Sequence, residues 1–285
     1  MTASPRTVAT LRAAIAAVLR GVVPDPAREA RELLAALHDA PASWAAVHAD
    51  RVVDGVAWDR AIAAAARRAR GMPLAYAAGR AAFRHHWLTV DPRVLIPRPE
   101  TEQLVDLALA RVPAGGAIAD VGTGSGAIAI ALAHEARPGR IVATDLSRDA
   151  LDVAAANAVA ARRAGDAVIE FRHGDLCAPL VGDRFDVLVS NPPYVPLADA
   201  PRLDPGVREW EPSLALYGGV DGTVLVARLV REAATVVRPE GWLLVEIDAA
   251  GGAAALAACE ASAWAAATVE RDLFGRDRFL VAQRR

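Results

Sequence analysis

The sequence contains little cysteine and histidine and no lysine, the residues on which disulfides, many metal sites and some catalytic sites depend. Only 2 of its 285 residues are cysteine, Cys177 and Cys259, which provides neither a disulfide framework nor a metal-ligand spacing. The 6 histidines are scattered without a ligand pattern, and all of the 32 basic residues are arginine. We therefore predict no structural metal. The absence of lysine also excludes reactions that need a Schiff-base or phosphate-binding lysine.

Long apolar runs are also missing. No uninterrupted apolar stretch is long enough to cross a bilayer, and residues 1–6 lack the basic segment and apolar stretch of a secretory signal. The formal net charge of −2 argues against broad electrostatic capture of nucleic acid. We expect a cytoplasmic protein with no membrane association and no stable nucleic-acid binding.

A hydrophobic content of 54% in 285 residues suits one large core and a smaller one. Residues 1–72 predict a small helical bundle, because apolar side chains recur there at helical spacing. These side chains are Val8, Leu11, Ile15, Val18 and Leu19, then Ala30, Leu33, Leu34 and Leu37. Helices are also predicted from Pro41 and over residues 54–70. Residues 73–98 predict a linker with a β-hairpin whose turn lies at Asp91-Pro92 and whose second strand is 94–96.

Residues 99–285 predict an α/β fold with a doubly wound, mostly parallel sheet, because strand and helix patterns alternate. After a helix that Pro97 and Pro99 introduce, the segments are 117–121, 127–134, 140–144, 150–162, 168–172 and 185–190. We expect an irregular stretch at 195–216, a helix at 221–237 and a strand at 241–247. A terminal antiparallel pair is expected within residues 268–282.

A glycine-rich loop follows the first parallel strand and opens a helix, which is the setting of a ligand-binding loop. Its residues are Gly122, Thr123, Gly124, Ser125 and Gly126. Glycine lets the backbone approach a ligand without a Cβ clash. The same residues fit the dinucleotide pattern G-x-G-x-x-A and also a plain tight turn, so the loop alone does not identify its ligand.

Acidic residues follow the next two strands. Asp145 ends the second strand, where a carboxylate can accept hydrogen bonds from both hydroxyls of a ribose, and its alternative role is that of a helix cap. Asp175 and Leu176 follow the third strand and are expected on the adenine side of such a ligand. For Leu176 the alternative is a place in the core.

The four residues Asn191-Pro192-Pro193-Tyr194 directly follow the strand at 185–190. The prolines restrict φ and remove two backbone donors, so carbonyl acceptors stand beside an amide side chain and an aromatic ring. This arrangement predicts a rigid clamp for a planar group that carries an NH2. The alternative is a tight loop in which the asparagine caps a turn and the tyrosine belongs to the core.

The glycine loop, the acid after the second strand and the Asn-Pro-Pro-Tyr segment together resemble the S-adenosylmethionine-dependent amino methyltransferases. The segment Ile96-Pro97-Arg98-Pro99-Glu100-Thr101-Glu102 narrows the resemblance to the release-factor glutamine methyltransferase family. Further matching pieces lie at 73–79, 211–212, 218–222, 241–247 and 272–278. The chain departs from the family pattern at residues 248–251 and at Leu176, which stands where an aromatic is common.

The resemblance implies a Rossmann-like class I methyltransferase that methylates the glutamine amide of the Gly-Gly-Gln motif in peptide-chain release factors. Its cofactor would be S-adenosylmethionine, bound by residues 122–126, Asp145, Asp175, Leu176 and Asn191. The catalytic residues would be Asn191, Pro192 and Tyr194, which bind the substrate together with Pro193. Residues 99–285 would form the catalytic domain, and residues 1–72 would dock the release factor.

Two other functions fit part of the sequence. A nucleic-acid methyltransferase acting on an exocyclic amine, such as adenine N6, would use the same clamp, but it usually needs a basic face or a recognition domain. A nicotinamide-dependent dehydrogenase would use the glycine loop and would leave the Asn-Pro-Pro-Tyr segment unexplained.

Overall fold

The structure is a computed structural model that describes residues 6–285. The first five residues of the predicted 1–72 unit, which include most of the segment considered for a secretory signal, lie outside the described residues.

The N-terminal part is helical, as its apolar spacing predicts. Its helices are α1 (Val8–Leu19), α2 (Pro26–Leu37), α3 (Trp44–Val47), α4 (Gly55–Ala69) and α5 (Leu74–Ala78). Asp25 and Asp54 cap α2 and α4 by accepting a backbone N–H of the first turn. The apolar faces of α1, α2 and α4 pack into one core, although Val18 remains 36% exposed. Helix α5 follows the predicted stop and was not expected from the sequence.

The predicted hairpin exists, but its predicted turn and second strand are wrong. Strands β1 (Arg80–Phe83) and β2 (His86–Thr89) pair antiparallel, with Phe83 opposite His86. The turn therefore lies at residues 84–85, where Arg84 adopts a φ of 49°. Residues 94–96 form no strand, because their backbone groups bond to side chains: the Val94 carbonyl accepts from the Tyr76 hydroxyl at 2.5 Å, and the Ile96 N–H donates to Glu211 at 3.2 Å.

The main sheet has seven strands and confirms the predicted doubly wound, mostly parallel architecture. They are β3 (Ala117–Val121), β4 (Arg140–Asp145), β5 (Ile169–His173), β6 (Phe185–Ser190), β7 (Val237–Glu246), β8 (Trp264–Arg271) and β9 (Asp277–Arg284). Their order is β5-β4-β3-β6-β7-β9-β8, and only the pairings of β9 are antiparallel. The chain runs outward from β3 to β5 and returns to β6 on the other side of β3. This reversal creates a crevice at the carboxyl ends of the central strands.

Helices cover both faces of the sheet and complete two apolar cores. They are α6 (Thr101–Leu109), α7 (Ala127–Glu135), α8 (Arg148–Ala161), α9 (Pro205–Trp210), α10 (Ser213–Leu216), α11 (Val224–Ala233) and α12 (Gly252–Ala258). The stretch predicted to be irregular, 195–216, thus contains two short helices and a 3₁₀ segment, Leu197–Arg202. Helix α11 is shorter than predicted, because Gly222 has a φ of 77° before it and β7 begins at Val237.

One buried polar side chain joins three of these elements. Asn157 of α8 is 2% exposed, and its amide oxygen accepts the Thr89 N–H at 2.8 Å. Its amide nitrogen donates to the carbonyls of Thr89 and Ser125, each at 2.9 Å. The hairpin and the glycine-rich loop are therefore both held to α8 through one amide.

Replacing this amide should destabilise the fold. We expect Asn157→Ala to lower the free energy of unfolding by about 1–3 kcal/mol, because backbone groups inside the protein lose their partners. Urea denaturation measures the change. Val159→Ala is the matched control on the same helix, since Val159 is 80% exposed. Equal losses in the two variants would contradict the role of the Asn157 hydrogen bonds.

Candidate active site

A cavity lies in the crevice at the carboxyl ends of β3, β4 and β6. Nine of the predicted site residues line it: Gly122, Thr123, Gly124, Ser125, Asp145, Asp175, Leu176, Asn191 and Pro193. The cavity is also lined by residues that precede or begin α6 and by residues of the 205–216 stretch, namely Arg93, Val94, Leu95, Pro97, Arg98, Thr101, Pro212, Leu214 and Ala215. Three predicted site residues, Gly126, Pro192 and Tyr194, do not line this cavity. Pro192 is buried, and Tyr194 lines a neighbouring cavity with Pro196 and Asp248.

The glycine-rich loop presents bare backbone to the cavity. Gly122 and Gly124 have φ values of 75° and 55°, and a Cβ on either would meet no atom within 4 Å. Gly126 has a different role, because a Cβ there would lie 3.2 Å from the Ala154 side chain. It permits close packing of α7 on α8, whereas Gly122 and Gly124 leave open space beside the backbone.

The carboxylate of Asp145 holds this loop in place. It accepts the N–H of Gly124 and the N–H of Ser147, each at 2.8 Å. Ser147, rather than Asp145, caps α8. Burial raises the pKa of Asp145 from its ordinary value, and the backbone N–H donors oppose that shift. Each carboxylate oxygen keeps a lone pair with which it can accept a ligand hydroxyl.

Asp120 is a second carboxylate at the loop, and it is fully buried. One oxygen accepts the Thr123 hydroxyl at 2.7 Å and the Ala129 N–H at 3.2 Å. Its other oxygen, Oδ1, has no hydrogen-bond partner among the described residues. Burial raises the pKa of Asp120 to about 7.

Asp175 and Leu176 both line the cavity, where Asp175 is held by an ion pair and Leu176 has an unusual backbone conformation. The Asp175 carboxylate forms an ion pair of 2.7 Å with Arg228, so part of its capacity to accept hydrogen bonds is already used. Leu176 adopts a φ of 45°, which is unusual for a side chain of this size. Leu176 also packs against the apolar core, so it has both a place at the cavity and a place in the core, the two environments expected from the sequence.

The Asn191 side chain belongs to a chain of hydrogen bonds. Its Nδ2 donates to the Thr101 hydroxyl at 3.1 Å, and that hydroxyl donates to Oε2 of Glu246 at 2.7 Å. The other Glu246 oxygen, Oε1, accepts the Tyr194 hydroxyl at 3.1 Å. Glu246 is 1% exposed, and burial raises its pKa while the two hydroxyl donors lower it. Burial also raises the pKa of Tyr194.

Sequence reasoning did not assign Thr101 or Glu246 to the site. Both lie in segments that matched the family pattern, 96–102 and 241–247, but they are 145 residues apart in the chain. The pairing of β7 with β6 brings Glu246 near Asn191.

An ion pair joins two segments that line the cavity, one before α6 and one before α10. Arg98 donates to Oε1 of Glu211 at 2.7 Å, and Oε2 accepts the Ile96 N–H at 3.2 Å. The Glu211 side chain is 1% exposed. Arg98 therefore ties the stretch at 205–216 to the segment before α6.

Comparison with known proteins identifies relatives over most of the chain. The PrmC N-terminal domain family matches residues 10–79, and the methyltransferase small domain family matches residues 101–200. A release factor glutamine methyltransferase of Xylella fastidiosa is 40% identical over 257 residues, which cover 90% of this chain and 92% of that protein. One from Deinococcus radiodurans is 38% identical over 276 residues, covering 96% and 97% of the two chains.

A solved structure shares the fold. A methyltransferase from Pyrococcus furiosus superposes with a TM-score of 0.51 at 17% identity, over 69% of this chain and 87% of that one. Across residues 6–285, none of the helices combines the length and apolar character needed to span a membrane.

Asp120 should make the stability of the protein depend on pH. Its folded pKa, about 7, lies above the ordinary 3.8, so the folded state binds more protons between these values and stability falls as pH rises through them. Asp120→Asn cannot titrate. Between pH 5 and pH 8, we expect the free energy of unfolding of the variant to rise relative to that of the wild type by on the order of a few kcal/mol.

Urea denaturation across this pH range measures the effect. Glu246 titrates in both proteins, so its contribution cancels in the difference. Parallel stability curves for the two proteins would contradict the raised pKa of Asp120.

Proposed function

The chain belongs to the release factor glutamine methyltransferase family, and from this premise we propose that it methylates the glutamine amide nitrogen in the Gly-Gly-Gln motif of peptide-chain release factors. The observation that carries the proposal is the orientation of Asn191. Its NH2 is engaged by Thr101, so its oxygen is free to accept an N–H of an amide in the cavity. Because release factors act in translation, we propose a cytoplasmic location.

As a methyltransferase, the enzyme uses a methyl donor of the S-adenosylmethionine type, and we propose that the cavity holds S-adenosylmethionine itself. The residues present fit this ligand. The open backbone at Gly122 and Gly124 leaves room for a close approach, and Asp145 retains acceptors for two ribose hydroxyls. Thr123, Ser125, Asp175, Leu176 and Asn191 complete the proposed contacts, while Gly126 contributes through helix packing. When bound, the cofactor supplies an electrophilic methyl group.

The proposed catalytic role of this chain is to orient the amide and to stabilise charge on its nitrogen. An amide nitrogen is a weak nucleophile, because its lone pair is delocalised into the carbonyl. In the proposed complex the Asn191 oxygen and the Pro192 carbonyl each accept one N–H, which turns the nitrogen toward the methyl group. These acceptors interact more strongly as positive charge develops, so they favour the transition state over the ground state. Orientation can contribute on the order of 7 kcal/mol.

Pro193 and Tyr194 are proposed to complete the substrate site. Pro193 lines the cavity and keeps the turn rigid. The Tyr194 hydroxyl is held by Glu246 and its ring borders the neighbouring cavity, where we propose that it packs on the peptide adjoining the substrate amide. No strong base is required, since the methylated, protonated amide is acidic enough to release its proton to water.

We keep the division into 1–72, 73–98 and 99–285 as a proposal, with the first unit docking the release factor. Three exposed valines on its surface support this role: Val47, Val52 and Val56 are 75–81% exposed. A protein partner can bury exposed apolar side chains, whereas nucleic acid is bound mainly through its phosphates.

Transfer of labelled methyl from S-adenosylmethionine tests the substrate. We expect label on a purified release factor, and none on a copy whose Gly-Gly-Gln glutamine is replaced or on bulk RNA and DNA. Label on nucleic acid alone would overturn the proposal in favour of an exocyclic-amine methyltransferase.

The Asn191→Ala variant tests the clamp. We expect kcat to fall by about 10³-fold or more, because an acceptor that acts on the developing charge is lost. Calorimetric binding of S-adenosylmethionine should stay within about threefold, since the other cofactor contacts remain. Turnover equal to the wild type would refute the mechanism.

The Asp145→Ala variant tests the cofactor site. We expect the Kd for S-adenosylmethionine to rise by about 10- to 100-fold, because hydrogen bonds to a charged acceptor are lost and the loop is released at Gly124. Asp152→Ala, at an exposed position on α8, is the matched control. An unchanged Kd in Asp145→Ala would show that the ribose is bound elsewhere.

A further inference from the structure

We propose that Thr101 and Glu246 are positioning residues that set the direction in which the Asn191 amide faces the substrate, and thereby select glutamine over glutamate. This inference rests on the proposed function, because it concerns how the same site distinguishes an amide from a carboxylate.

The hydrogen bonds among Glu246, Thr101 and Asn191 each have a defined direction. Both oxygens of Glu246 accept hydroxyls, one from Tyr194 and one from Thr101, and the Thr101 hydroxyl gives its single proton to Oε2 at 2.7 Å. Its oxygen can then only accept from Asn191, which must turn its NH2 toward Thr101, at 3.1 Å. The Asn191 carbonyl oxygen is thereby left for the substrate.

Burial makes this direction difficult to reverse. Thr101 is 4% exposed and Glu246 is 1% exposed, so water has little access to replace either partner. The second Glu246 oxygen is occupied by the Tyr194 hydroxyl at 3.1 Å. A flipped Asn191 amide would place its oxygen against the Thr101 oxygen, which has no proton left to donate, and one buried acceptor would lose its partner.

The residues that form this chain come from three separate elements. Thr101 begins α6, Glu246 ends β7, and Asn191 and Tyr194 follow β6. A buried carboxylate is costly to maintain, and an apolar contact between α6 and the sheet would hold these elements equally well. Unlike an apolar contact, the chain of hydrogen bonds fixes which end of the Asn191 amide faces the substrate.

The orientation of the Asn191 amide determines which substrate side chain can bind. A glutamine side chain offers two N–H groups, which an amide oxygen can accept. A glutamate side chain at the same place offers only acceptors, which would face the Asn191 oxygen unfavourably. If the amide of Asn191 were free to turn, its NH2 could meet a carboxylate, and discrimination between the two side chains would decrease.

The test measures kcat and KM for a release factor substrate, and Ki for a copy whose Gly-Gly-Gln glutamine is glutamate. For Thr101→Val and Glu246→Gln, we expect kcat to fall by about 30-fold or more, with the KM for S-adenosylmethionine within about threefold. The ratio of Ki for the glutamate copy to KM for the glutamine substrate should fall by about tenfold. Thr101→Ser should restore most of the lost turnover, because it keeps the hydroxyl.

Two controls separate positioning from a structural role. Thr235→Val removes a hydroxyl that bonds only the Glu232 carbonyl on the surface, and it should change none of these constants. The double variant Thr101→Val/Glu246→Gln should lose little more activity than either single variant, because both interrupt one chain. If Thr101→Val does not fold, the isosteric Glu246→Gln carries the same test.

The outcomes distinguish this inference from the proposed function. No methylation of the release factor by the wild-type enzyme would refute the proposed function itself. Methylation by the wild type, with an unchanged Ki to KM ratio in both folded variants, would refute the positioning role alone. A loss of thermal stability without a change in that ratio would assign Thr101 and Glu246 a purely structural role.

Discussion

The parallel pairing of β3 with β4 on one side and with β6 on the other is the constraint on which the rest of the structure depends. Because the strands run in one direction, their carboxyl ends meet at one edge, and the reversal of strand order opens a crevice there. The glycine-rich loop, Asp145 and Asn191 each follow one of these three strands. Their distances from one another are therefore set by the pairing of the three strands.

The same edge holds several polar groups that the protein buries at a cost in stability. Asp120 and Glu246 have pKa values raised by burial, which means that the folded protein resists their ionisation. Asn157 is buried as well, but its amide is fully engaged and stabilises the fold. Buried carboxylates with raised pKa values are more typical of functional sites than of structural cores. Asp120 bonds Thr123 and Glu246 bonds Thr101, so each carboxylate supports a residue that lines the cavity.

The cavity mouth depends on contacts that cross between distant segments. Glu211 joins the stretch at 205–216 to Arg98, and Tyr76 holds the Val94 carbonyl at the junction with the helical part. Trp210 packs into the same apolar cluster. The stretch at 205–216 is thus tied both to the segment before α6 and to the end of the helical bundle.

The sequence by itself determined the helical N-terminal part, the strands and the local motifs. Strands 117–121 and 185–190 were predicted to the residue, because a buried parallel strand is a continuous apolar run with a clear turn at each end. The glycine-rich loop and the Asn-Pro-Pro-Tyr segment were recognisable for the same reason, since their chemistry lies within a few consecutive residues. Only the tertiary structure decided the turn of the hairpin, the separation of Tyr194 from the main cavity and the contact between Thr101 and Glu246. Hydrophobic periodicity is a local property, whereas the partner of a buried polar side chain depends on which strands become neighbours, and that choice is made by the packing of the whole chain.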